Sequence, residues 1–255
     1  MVMFEIEVAV AKVAHHGSGE SGDTLEMIER PGGGFSFVLV DGQGTGRGAK
    51  TLSNLLATRA ISLLKDGARD GAAARAVHDY LYTYRMGQVA ATLNILSVDF
   101  QSGKILMSRN NPAPFFVIDR HGLHSYSEPS TPIGLQPMTK PIISELPVAA
   151  YTYVVVFTDG LLRAGERTGE DVEIGNFLSG WPAELGRSAQ ELTDTLLRRA
   201  LELDVGEPSD DMSIVTLAVL PAATTHSVRR LRTVVPFEAP TWPTPDPRGL
   251  DSDEL

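Results

Sequence analysis

Apolar and polar positions alternate along Phe4–Val10, with Phe4, Ile6, Val8 and Val10 set against Glu5, Glu7 and Ala9, the pattern of a strand with one buried face. Asp23–Arg30 repeats it more weakly. Pro31-Gly32-Gly33-Gly34 then reads as a turn, and Phe35–Val40 as the apolar run of a buried strand. Strands joined by so short a turn must be antiparallel, because a parallel pair needs a crossover of about a dozen residues. Beyond Asp41-Gly42-Gln43-Gly44-Thr45-Gly46 the period changes. Leu52, Leu55, Leu56, Ala60, Leu63 and Leu64 fall on one stripe of a helix that Gly67 can end. A second helix is predicted over Gly71–Arg85. Strands follow at Ala91–Phe100, Ile105–Ser108 and Phe115–Asp119, the first two joined by a Gln101–Lys104 turn. A proline-bearing crossing (Pro129, Pro132, Pro137, Pro141, Pro147) leads to a strand at Tyr151–Thr158. A helix at Ser188–Leu203, with Leu192, Leu196, Leu197 and Leu201 on one face, precedes a last strand at Met212–Leu220.

Strands joined by tight turns, with helices gathered in groups, indicate an α+β fold and not a βαβ alternation. Val228 and Leu231, interleaved with Arg229, Arg230 and Arg232, read as an edge strand. From Pro236 the chain is Pro-rich, lacks apolar periodicity and ends Asp251-Ser252-Asp253-Glu254-Leu255, a composition expected to be disordered. The expected organisation is one domain over 1–221, then an edge segment and tail over 222–255.

Charge narrows the function classes. The 255 residues carry 22 Lys+Arg against 32 Asp+Glu, a net charge of −10, which argues against general binding to nucleic acid or to acidic membranes. No cysteine is present, so disulfides, thiolate metal sites and cysteine nucleophiles are excluded. No apolar run approaches the ~18 residues of a membrane span, and no basic segment precedes an apolar one near Met1. A cytoplasmic protein is the expectation.

The candidate chemistry lies in the aspartates. Asp23 follows Ser21-Gly22, Asp41 ends a strand ahead of Gly42, Asp159 ends a strand ahead of Gly160, and Asp210 with Asp211 immediately precedes the last strand. A single Asp-Gly is most simply a turn. Several strand-terminal carboxylates gathered at one sheet edge repel one another unless a cation lies between, and an oxygen-only set suits Mg²⁺ or Mn²⁺. Glycine after the aspartate also leaves room for a backbone carbonyl to approach such an ion.

A rival reading uses the glycine loop at 42–51. Gly44-Thr45-Gly46-Arg47-Gly48-Ala49 fits a relaxed dinucleotide pattern, and with Lys50-Thr51 it misses the phosphate-loop pattern only at Ala49. Both require a parallel sheet, with a strand soon after the helix, whereas here a second helix follows. His15 and His16 cannot both turn inward from one strand and read as a solvated pair.

Together, Ser21-Gly22-Asp23, Asp41-Gly42-Gln43-Gly44, Ala91-Thr92-Leu93-Asn94, Asn110-Asn111-Pro112, Pro132-Ile133-Gly134, Thr158-Asp159-Gly160 and Asp210-Asp211-Met212-Ser213 resemble the metal-dependent protein phosphatases of type 2C. The bacterial branch of stage II sporulation protein E and the sigma-regulatory phosphatases is the most similar. The resemblance implies a four-layer α-β-β-α sandwich of two antiparallel sheets flanked by helices. It implies hydrolysis of phosphoserine or phosphothreonine on a small regulatory protein, such as an anti-sigma-factor antagonist, by a water shared between two Mn²⁺ or Mg²⁺ ions. Carried over, Asp41 would bridge both ions, Gly42 would offer its carbonyl, Asp159 and Asp210 would hold one ion, and Asp23 would act directly or through metal-bound water. Asp211 ranks below Asp210.

There are departures from the family pattern. Gln43 stands where many relatives have a histidine proposed as general acid, no arginine precedes Asp23 to clamp the phosphate, and Asn110-Asn111 stands about where some relatives carry a third-metal aspartate. The implied count is therefore two ions, with the phosphate ligand unassigned. A regulatory protein contacting the helices at 45–85 is a further implication. A phosphatase-like binding module with little activity is the alternative.

Overall fold

The computed structural model describes residues 3–222 and 228–236. Among these residues ten strands form two five-stranded sheets, and every strand pairing is antiparallel. The first sheet runs β1 (Phe4–Val13), β10 (Met212–Pro221), β9 (Thr152–Phe157), β6 (Phe115–Asp119), β7 (Gly122–Tyr126). The second runs β2 (Asp23–Glu29), β3 (Gly34–Gly42), β4 (Ala91–Asp99), β5 (Lys104–Asn110), β8 (Ile142–Pro147). The helices are α1 (Gly46–Lys65), α2 (Asp70–Arg85), α3 (Asp159–Arg163), α4 (Ile174–Ser179) and α5 (Ala189–Leu203).

Three apolar layers account for the stacking. Phe37, Leu39, Leu96 and Met107 of the second sheet meet Val154, Val156, Val215 and Leu217 of the first between the sheets. The alternate residues Val38, Val40, Leu93 and Ile95 bury against Leu56, Ala60, Leu64, Val77 and Leu81 of α1 and α2. Tyr153, Val155, Phe157 and Ile214 bury against Leu178 of α4 and Leu192, Leu196 and Ala200 of α5. Both faces of β3 are therefore covered, which is why Phe35–Val40 lacks period-two alternation. The layering is the expected α-β-β-α sandwich. No parallel pair exists among the described residues, so the dinucleotide and phosphate-loop readings of 42–51 have no fold to sit in.

Several local expectations need correction. Strands β7 and β8 arise within stretches read as connections. Each is an edge strand with a single neighbour and few buried residues, so neither shows an apolar pattern, and an edge tolerates the prolines around β8. Helices α3 and α4 are too short to display a period. Leu55 is exposed, because Ser53, Leu56 and Ala57 supply the contact face of α1. Residues 228–236, read in part as an edge strand, form no helix or strand and are all exposed; 237–255, including the acidic end, lie outside the described residues. Among the described residues no helix is long and apolar enough to cross a membrane.

Candidate metal centre

Register brings the first two aspartates together. Asp23 opens β2 and pairs directly with Asp41 near the end of β3, while Asp41 pairs on its other side with Thr92 of β4. Paired Cα atoms of antiparallel strands lie about 4.5–5.5 Å apart. Asp41 has the parity of Phe37 and Leu39, so both carboxylates lie on the inter-sheet face, at its end.

The opposite sheet reaches the same point. Ser213 Oγ of β10 and Thr158 Oγ1, one residue beyond β9, donate to Asp23 Oδ2 at 2.6 and 3.0 Å, and Thr158 Oγ1 accepts from Ser213 N at 2.9 Å. Neither hydroxyl was assigned a role from sequence, although both stand within the motifs quoted there. Asp159 is the first residue of α3, and Asp210 stands in the loop before β10. Glycine at 160 makes their approach possible: a Cβ there would lie 2.2 Å from the Asp211 carbonyl oxygen and 3.2 Å from Asp210 Cβ.

Mutual repulsion marks the cluster. Burial, then the negative charges of Asp23, Asp159 and Asp210, push the Asp41 carboxyl up to about 9. Burial also raises Asp23, to about 7, against the opposing hydrogen bonds from Ser213 and Thr158. Asp210 is raised as well, by burial first and the charge of Asp159 among its causes. Four of the sequence-predicted residues, Asp23, Asp41, Asp159 and Asp210, thus interact at one place.

The other two predicted residues have visible structural work. Asp211 accepts from His15 N at 2.9 Å and Gly22 N at 2.8 Å, so both its oxygens anchor the loop ahead of β2. A Cβ on Gly42 would lie 2.4 Å from the Ala49 carbonyl oxygen; glycine is required here for the approach of α1, a reason independent of any ion. Gln43 is also committed, its Oε1 accepting from Ala90 N at 2.8 Å. Lys50 donates to the Asp23 carbonyl oxygen at 2.7 Å and to Thr24 Oγ1 at 3.0 Å, capping the edge of β2. His16 is largely exposed and nearest Glu207.

A hard divalent pair is tested by the donor set. It is oxygen-only, as Mg²⁺ and Mn²⁺ require, and Asp23 Oδ1 is buried with no hydrogen-bond partner, which is costly unless something positive satisfies it. Among the described residues no three acidic or imidazole side chains converge at ligand distance as they stand. The Arg163 guanidinium, which sequence reasoning missed, lies 2.9 Å from Asp159 and 3.0 Å from Asp210 and supplies their counter-charge. The donor set fits such ions in its chemistry, with Asp41 in electrostatic contact with Asp23, Asp159 and Asp210.

Comparison with known proteins bears on the family and the fold. Residues 31–220 match the family model described as stage II sporulation protein E; Asp23 lies just ahead of the matched span. Stage II sporulation protein E of Priestia megaterium is 22% identical over 218 residues, covering 83% of this chain and 36% of that protein. The Bacillus subtilis (strain 168) protein is 20% identical over 218 residues, covering 85% and 26%. The chain thus spans about a third or less of those relatives. The structure of the PP2C phosphatase domain and a regulatory-domain fragment of SpoIIE from Bacillus subtilis superposes with TM-score 0.76 at 19% identity, over 88% of this chain and 66% of that one. The RsbU and RsbW domains of Rv1364c from Mycobacterium tuberculosis give 0.66 at 20%, over 87% and 62%. RsbX in complex with magnesium gives 0.65 at 16%, over 86% and 100%. The fold is that of the PP2C-type phosphatases, and the chain belongs to the stage II sporulation protein E family.

Proposed function

We propose that this protein is a divalent-metal-dependent serine/threonine protein phosphatase acting in the cytoplasm on a small regulatory protein. The observation that carries the reading is the convergence of Asp23, Asp41, Asp159 and Asp210, from both sheets, on one end of the inter-sheet layer. Two such ions, when bound, supply a water of lowered pKa as nucleophile and positive charge for the phosphoryl oxygens. The chain's own part is to bring the ligand carboxylates to one end of the inter-sheet layer. Asp41 pairs with Asp23 and interacts electrostatically with Asp159 and Asp210, and it would serve both ions. Gly42 is assigned to offer its carbonyl, and Asp211 holds the adjoining loop. Ser213 and Thr158 fix one oxygen of Asp23 and leave the other for an ion.

A phosphorylated anti-sigma-factor antagonist is the substrate class we assign, supported by family membership and by structural neighbours that carry RsbU and RsbX domains. We place a regulatory partner on α1 and α2. Gly46–Arg85 holds seven Lys and Arg against three Asp in a chain of net charge −10. On that face Arg59 stacks over Tyr80 at 4.0 Å, with Leu55 and Tyr84 exposed. An acidic partner fits it.

The test is phosphate release from a small regulatory domain phosphorylated on serine. Release with Mn²⁺ or Mg²⁺, stopped by chelator and absent for a phosphotyrosine peptide, is the expected result. Metal binding without release from any phosphoserine substrate would instead favour the binding-module reading.

A further inference from the structure

We propose that Arg163 is a displaceable counter-cation: it neutralises Asp159 and Asp210 in the metal-free protein and leaves them when a divalent ion binds, so ion occupancy of this half of the centre is set by competition with the guanidinium. The inference rests on the metal reading above and deepens it into a control on metal loading.

Three observations carry it. Arg163 makes one ion pair to each of two carboxylates from different elements, Nη2 to Asp159 Oδ2 at 2.9 Å and Nη1 to Asp210 Oδ2 at 3.0 Å. A guanidinium meets two carboxylates from two separate nitrogens in a fixed plane, a geometry the single nitrogen of an ammonium does not reproduce. Its side chain is 52% exposed, so it can swing into solvent without leaving a cavity. Its backbone is anchored meanwhile: Arg163 closes α3, its carbonyl accepts from Glu166 N at 3.0 Å, and Asp204 Oδ1 accepts from Gly165 N at 2.8 Å. The head group moves and the ligand-bearing helix does not.

Magnitudes favour exchange. An exposed ion pair shifts an equilibrium by about 1.4- to 5-fold, so two of them oppose metal binding by at most about thirtyfold, a barrier that a dication held by several carboxylates overcomes. A mere staple between α3 and the Asp210 loop would act in the opposite sense, since cutting it would loosen the ligands.

Mn²⁺ titration of the full chain by calorimetry and by EPR of free Mn²⁺, with wild type, Arg163→Gln and Arg163→Lys, separates the two. Melting in EDTA and in saturating Mn²⁺ gives a second readout. The expected result is Mn²⁺ binding about two- to thirtyfold tighter in Arg163→Gln, an intermediate value in Arg163→Lys, and a glutamine variant less stable than wild type in EDTA but equal to it in Mn²⁺. Binding seen only in Arg163→Gln also supports the competition. Wild-type binding with unchanged or weaker binding in Arg163→Gln overturns the role of Arg163 and leaves the metal reading intact. No binding by wild type or either variant overturns both.

Discussion

Asp41→Asn is expected to lower divalent-dependent phosphate release about a thousandfold or more, roughly 4 kcal/mol of transition-state stabilisation. Asp41 pairs with Asp23 across the strands and feels the negative charges of Asp23, Asp159 and Asp210. The amide matches the carboxyl in shape but cannot carry the charge that would bridge two ions. The same variant is expected to be more stable than wild type without metal, and the sign follows from proton uptake. The folded Asp41 keeps its proton up to about 9, against an ordinary value of 3.8. Between those limits the folded state binds more protons than the unfolded one, so metal-free wild type loses stability as pH rises from about 4 toward 9. Asparagine removes that loss. Thermal melts in EDTA should show a gain from Asp41→Asn that is larger at pH 8 than at pH 5. An equal gain at both would contradict the account.

Gly160→Ala is expected to destabilise the fold by about 2–4 kcal/mol and to abolish tight Mn²⁺ binding. In an exposed helix, alanine would be the better residue by about 1 kcal/mol. Here its Cβ would stand 2.2 Å from the Asp211 carbonyl oxygen, a backbone atom that cannot turn away, so the clash decides the sign. Relief requires α3 to separate from the loop before β10, parting Asp159 from Asp210. Gly48→Ala is the control: a Cβ there meets nothing within 4 Å, and α1 should gain up to about 1 kcal/mol. Urea unfolding of the two variants in EDTA measures both effects.

The parts of this molecule legible in its sequence are those whose cause is local. The turn at Pro31–Gly34 joins two apolar runs and leaves β2 and β3 no alternative to antiparallel pairing, which in turn sets Asp23 against Asp41. The leucines of α5 share one helical face, so that helix could be placed, and in the structure a Ser188–Glu191 capping box fixes its start. The Asp-Gly pairs pointed to strand ends because an aspartate there has water or an ion to face.

What stayed hidden depends on contacts far apart in the chain. Ser213 and Thr158 lie 190 and 135 residues from the Asp23 they hold. Asp210 and Asp211 are adjacent in sequence and differ in role only because the Asp211 oxygens meet backbone N–H groups of a distant loop. Gly42 and Gly160 were read as openings for an ion, but each also faces a carbonyl oxygen packed where its side chain would be. Arg163 did carry a signal, its i+4 spacing from Asp159, but only within a five-residue helix that no periodicity revealed.

The most direct measurement is an anomalous difference map from crystals of the wild-type protein grown with Mn²⁺. The account expects two peaks about 3.5–4 Å apart, both within ligand distance of Asp41, with Asp159 and Asp210 sharing one ion and Arg163 turned away from them. A map with no peak near Asp41, with Arg163 still bridging Asp159 and Asp210 at saturating Mn²⁺, would contradict it.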